Sequence, residues 1–165
     1  MPTDPVLDEL TSLDIDHEVM PCDPALADTA DFCAAYGINP RDSANAIRVA
    51  GRAAPRPYAL CLVLATHRLD VNGVVRRRLG TRKASFAGVE ETAGLTGMAI
   101  GGVTPFGLRG SVPIWIDAAV MQRPTVVIGG GTRDRKIRLS PAALTCLPGA
   151  EVVEGLARPA SPPDG

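Results

Sequence analysis

Hydrophobic positions along the chain fall into short runs whose spacing switches repeatedly between helical and extended periods. Val6, Leu7, Leu10 and Leu13 share one side of a helix predicted over residues 5–13. Ile15 to Met20 alternates loosely and predicts a strand. Asp28-Thr29 offers an N-cap, Ala30 to Tyr36 reads as a helix, and Gly37 supplies its stop. Ala46 to Val49 and Tyr58 to Ala65 predict two strands joined by a Gly/Pro-rich link at 51–57. Asp70 caps the next predicted helix, in which Val71, Val74, Val75, Arg78 and Leu79 keep helical spacing up to Gly80.

Residues 88–97 form a further short helical pattern ended by Gly97, and Gly101 to Gly110 reads as a shaped loop. Strands are predicted at Pro113 to Asp117, Thr125 to Ile128 and Lys136 to Leu139. Ser140-Pro141 then opens a helix, with Ser as cap and Pro at the first position. The Pro-rich tail, residues 158–165, is expected to be disordered. Strands and helices alternate irregularly, with no internal repeat and no domain boundary. That pattern implies a single α/β domain over residues 1–157, with a mixed, partly curled sheet and helices around it.

Composition narrows this picture. Apolar residues make up 45% of the 165-residue chain but aromatics only 4%, so the core is built from Ala, Val, Leu and Ile. The net charge of −1 lacks the basic excess of proteins that coat long nucleic acids, so any such contact is small and local. Four cysteines occur without C-x-x-C spacing, and Cys61 sits in an apolar run where a thiol behaves as a small hydrophobe. The N-terminal residues do not read as a signal peptide, and no apolar run approaches the roughly 20 residues of a membrane span. A cytoplasmic protein without membrane contact is expected, and no cofactor or metal motif is present.

Four segments carry candidate chemistry. Gly101-Gly102-Val103-Thr104-Pro105-Phe106-Gly107-Leu108 is either a tight turn or a loop whose free N–H groups bind an anion or oxyanion. Gly129-Gly130-Gly131 ends an apolar strand, and Arg133, Arg135 and Lys136 follow. That stretch is neither a P-loop nor a dinucleotide fingerprint, but the charges suit a phosphate as well as they suit solvent. The basic cluster Arg76-Arg77-Arg78 with Arg82-Lys83 is either a solvated face or a source of a few phosphate contacts. Asp117 ends a strand and either caps the turn after it or points into a pocket. No Ser or Cys lies in a nucleophile elbow. A hydrolase built from these parts would use water, backbone donors and positioning.

In this order the segments resemble the YbaK/prolyl-tRNA-synthetase-associated domain family. The resemblance is carried by Glu91 to Met98, the Gly101–Leu108 loop, Val112 to Asp117, Val127 to Gly131, Lys136 to Pro141 and Pro148 to Val153, and it covers roughly residues 5–157. It implies a mixed, barrel-like sheet surrounded by helices. It also implies hydrolysis of the ester of mischarged tRNA, in trans. The partner so implied is the 3′ end of an aminoacyl-tRNA. A partner synthetase and a homodimer are left open.

The resemblance makes Asn45, Gly101, Gly102 and Asp117 the candidate catalytic residues. Together with the loop and charge reading above, it assigns Thr29, Thr104, Pro105, Phe106, Gly107, Gly129, Gly130, Gly131, Arg133 and Lys136 to substrate binding. One departure stands out. Family deacylases carry a lysine in a strand pattern like Phe-Lys-Thr-Leu. The matching stretch here reads Ala44-Asn45-Ala46-Ile47, so a neutral amide replaces a cation. Arg48 and Lys136 are the candidate substitutes. The alternative function is a non-catalytic module binding a tRNA end, a nucleotide or a partner.

Overall fold

The computed structural model describes residues 4–88, 92, 98, 102–108 and 112–160. Its centre is a five-stranded sheet in the order β5-β2-β3-β6-β9. These strands are β2 (Ala44–Gly51), β3 (Tyr58–Leu64), β5 (Ala84–Phe86), β6 (Ile114–Asp117) and β9 (Ala150–Val153). β5, β2 and β3 pair antiparallel, whereas β3, β6 and β9 run parallel, so the sheet is mixed as expected. A second sheet, β1-β8-β7, is antiparallel and built from His17–Pro21, Arg135–Leu139 and Val126–Gly129. β4 (His67–Leu69) and β10 (Ala157–Pro159) form a two-stranded ribbon. The described strands curl into three sheets and do not close into a barrel.

The largest core cluster joins the two main sheets. Leu62, Leu64, Ile114 and Ile116 of the first pack with Val126, Ile128, Ile137 and Leu139 of the second. Helix α1 (Pro5–Ser12) adds Val6 and Leu10, capped by Asp4, whose carboxylate accepts from the Leu7 N–H at 3.2 Å. The opposite face of the first sheet buries Val49, Cys61, Val63 and Trp115 with Val75 and Leu156. Burial pushes the Cys61 thiol up to about 12, so it packs as a hydrophobe. Helix α2 (Thr29–Tyr36) lies by the second sheet, where Phe32 packs with Ala27 and Val127.

Three local features depart from the sequence reading. Pro141–Cys146 is a 3₁₀ segment, and Ser140 makes no side-chain cap bond. Asp28 likewise makes no side-chain bond to the α2 N–H groups, because its carboxylate is held by Arg133 instead. The tail expected to be disordered from Arg158 stays ordered at least to Pro159. Backbone pairing of Arg158 with Arg68 and of Pro159 with His67 outweighs its composition. Between β4 and β5, a π turn (Val71–Val75) runs into α3 (Arg76–Leu79). Asp70 caps the π turn through the Gly73 and Val74 N–H groups. Gly80 ends α3 at φ 70°, a conformation glycine adopts without strain.

Candidate active site

The site follows from incomplete strand pairing. β2 pairs with β3 from Ala44 to Ala50, but with β5 only from Val49 to Gly51. At its start, Ser43 bridges in parallel to Val127 of the second sheet. Between these two ties the outer edge of β2 faces β7 across a gap. The gap is a cavity of about 370 Å³, within the roughly 300–1,000 Å³ typical of small-molecule sites. The ladder phase is fixed at both ends. The Ser43 carbonyl accepts from Ala65 on the β3 side, and the Arg48 carbonyl accepts from Ala87 on the β5 side. Alternation along a strand therefore turns the N–H and C=O of Ala46 away from β3, toward the cavity.

Polar side chains reach the cavity from α2, β2 and β8. Thr29 comes from the first turn of α2 and Asn45 from β2, and the Thr29 hydroxyl donates to Asn45 Oδ1 at 2.5 Å. With its oxygen occupied, the Asn45 amide offers its NH₂ donors. Lys136 enters from β8, on the opposite wall, and is only 6% exposed. Its ammonium donates to the Ala27 carbonyl at 2.5 Å and lies 5.5 Å from the centre of the Phe32 ring. Burial holds this ammonium below the usual lysine range. Arg48, also buried, lies with its guanidinium 5.1 Å from the Tyr58 ring centre. Ser43 and Thr92 add hydroxyls, and Val103 and Ile128 supply apolar wall.

Of the residues singled out from the sequence, the fold brings Thr29, Asn45, Gly129 and Lys136 to this cavity. Gly101 lies outside the described residues, as does most of the 88–97 pattern. The remaining candidates are placed elsewhere. A Cβ on Gly102 would come within 2.8 Å of the Thr132 backbone. Its carbonyl accepts from the Gly131 N–H at 2.7 Å, so Gly102 makes room for a neighbouring loop. Gly107, at φ 69°, abuts the backbone of Pro5 and Val6 and donates to Glu9 at 3.0 Å. Phe106 is core, Thr104 and Pro105 are buried, and none of the three lines the cavity. Gly130 and Gly131 pack against Arg135 and Val6 respectively.

Asp117 also lies apart from this cavity. Its carboxylate accepts from the Ala157 N–H at 3.2 Å, tying β6 to β10 away from the cavity, and burial pushes its pKa up. Arg133 donates to the Pro24 carbonyl and pairs with Asp28 at 3.2 Å, so it braces the cavity rim from behind. Arg48 and Val103 complete the set that sequence reasoning underweighted. Arg48 was legible only as a substitute cation, and Val103 was hidden among the glycines. Phe86 and Thr92 carried no signal.

Comparison with known proteins agrees with this architecture. A family model for the aminoacyl-tRNA editing domain matches residues 23–147, and the chain belongs to that family. Among solved structures, one described as a "putative trans-editing enzyme for prolyl tRNA synthetase" superposes with a TM-score of 0.77. It is 27% identical, over 93% of this chain and 98% of that one. A hypothetical protein superposes with a TM-score of 0.83 at 20% identity, over 94% of this chain and 100% of that one, and shows the same fold.

Proposed function

We propose that the chain is an aminoacyl-tRNA deacylase acting in trans on mischarged tRNA. The observation that carries this reading is convergence. A buried ammonium (Lys136), a pinned amide (Asn45) and a strand-edge N–H (Ala46) meet around one cavity of amino-acid size. Ester hydrolysis needs donors aimed at the oxygen that becomes negative when water adds to the carbonyl carbon. In this reading the Asn45 amide and the Ala46 N–H supply them, and Lys136 stabilises the charge from the far wall. Collapse of the adduct breaks the ester C–O bond, and a proton derived from the water ends on the ribose oxygen. The products are a free amino acid and an intact tRNA. The reading puts the chain with the translation machinery in the cytoplasm, on tRNA that a synthetase has released.

The binding-module alternative draws support from Asn45 standing where the resemblance expects a cation. Lys136 and Arg48 in the same cavity weigh against it. The test is single-turnover deacylation of cysteinyl-, alanyl- and seryl-tRNA by purified protein. Hydrolysis of at least one, lost in Lys136→Met, is the expected result. Stable esters throughout the panel would overturn the enzymatic reading.

A further inference from the structure

The three basic residues after Gly131 are committed to the protein itself. Arg133 serves Asp28 and Pro24, Arg135 grips Asp4 at 2.6 and 2.9 Å, and Lys136 is buried in the cavity. Two members of the α3 basic triplet are engaged as well. Arg78 pairs with Glu151 at 2.6 Å and stacks on Trp115, and Arg76 donates to the Asn72 carbonyl. A tRNA reaching the cavity therefore needs cations from elsewhere on the surface.

A second hollow, of about 290 Å³, lies at the other end of the β2–β5 ladder. Arg52, Arg56 and Lys83 line it with Gly51, Ala84 and Ser85, and no carboxylate lines it among the described residues. Its two arms are tied by the Arg52 N–H donating to the Lys83 carbonyl at 2.9 Å. Among the described residues, neither Arg52 nor Lys83 has an ion-pair partner. On the same edge strand Phe86 is 57% exposed, although it also borders the cavity mouth. Lys83 and Phe86 are three residues apart on extended chain, roughly 10 Å. A basic groove followed by an exposed aromatic platform is the physical recipe for single-stranded nucleic acid: phosphates track the charges and a base stacks on the ring.

We infer that β5 is the docking track for the single-stranded acceptor end of tRNA. Phe86 stacks a base next to the cavity, and Arg52 and Lys83 hold phosphates further along the strand. The inference rests on the deacylase reading for its choice of RNA, but its residues lie apart from the hydrolytic cavity, Phe86 excepted.

The experiment measures affinity for uncharged tRNA across a salt series, for wild type, the double variant Arg52→Gln/Lys83→Gln, and Phe86→Ala. In parallel, hydrolysis of an aminoacyl-adenosine ester reports on the cavity alone. The double variant should weaken tRNA binding tenfold or more at low salt and lower the log–log salt slope by about 1.4, roughly 0.7 per lost contact. It should hydrolyse the small ester at the wild-type rate. Phe86→Ala should weaken binding about tenfold with the slope unchanged. Wild-type affinity and slope in both variants would overturn the track while leaving the deacylase reading intact. A wild type that hydrolyses no ester, but whose tRNA affinity falls in the variants, would keep the track and overturn the deacylase. A wild type that binds no tRNA would overturn both.

Discussion

Thr29 holds Asn45 by its oxygen: the hydroxyl of the first residue of α2 donates to Oδ1 at 2.5 Å and leaves the NH₂ as the amide's donor end. If Asn45 acts through that NH₂, Asn45→Ala should slow single-turnover deacylation by about tenfold, the worth of a 1.4 kcal/mol contact. Thr29→Val should cost somewhat less, because the amide remains but can rotate. The double variant should be no slower than Asn45→Ala alone, since Thr29 works through the residue already removed. Multiplied losses in the double variant would show instead that Thr29 contacts the substrate independently.

Lys136 offers a dissociation of activity from stability. Its folded pKa is depressed by burial relative to 10.5, so its stabilising contribution is present only above the unfolded pKa and is lost as pH falls through the folded value. Below the unfolded value, burial of this group is therefore a liability to the fold. Lys136→Met should be at least as stable as the parent at pH 7, and that advantage should shrink as pH rises toward 10.5. The same variant should lose about a hundredfold in hydrolysis, the scale of a lost oxyanion partner. Urea melts across pH, alongside single-turnover rates, check both halves. A variant that is less stable at pH 7 and equally active would refute the assignment.

The glycine loops are held by backbone packing. A Cβ on Gly129 would meet the Val103 carbonyl at 2.2 Å, and one on Gly102 the Thr132 backbone at 2.8 Å. Gly129→Ala and Gly102→Ala should each destabilise the protein by about 1–3 kcal/mol, as overpacking does. Because Val103 and Gly129 both line the cavity, activity in Gly129→Ala should fall further than stability alone accounts for. Denaturation midpoints equal to the parent's would refute the packing role.

Arg135 separates structural charge from tRNA contact. Its hydrogen bond to Asp4 holds that carboxyl below the usual aspartate value of 3.8. The stabilisation is present above the unfolded pKa and fades as pH falls through the folded one. Arg135→Gln should thus lower stability at pH 6, with a gap that narrows below pH 4, and leave the salt dependence of tRNA binding unchanged. A reduced salt slope in this variant would return Arg135 to the RNA interface.

Much of the fold was legible because long periodic segments leave few options. The α1 stripe, the β2 and β3 runs and the stops at Gly37 and Gly80 appear where the pattern put them. β4, β5 and β10 were not legible, being three residues each, too short for a period to register. The site was half legible. Asn45 was named through the family resemblance and Lys136 from the basic stretch after the glycines, but glycine-rich segments carry two meanings in a sequence. At Gly102, Gly107 and Gly130 a Cβ would meet neighbouring protein, so packing alone accounts for a glycine there. Asp117 was ambiguous for a similar reason. A carboxylate at a strand end serves a turn or a site equally well until the partner strand, here β10, is known.

The size of the site depends on where one ladder stops. β5 pairs with β2 as far as Val49–Phe86, and the Ala87 N–H adds a further rung on the Arg48 carbonyl. Two further rungs would bring the chain after Ala87 alongside Ile47 and Ala46. The mouth would then zip shut without any change to the core. The length of this short edge strand is thus a dial for what can enter: trimming β5 would admit a bulkier ligand, and lengthening it would turn an open cleft into an ordinary sheet.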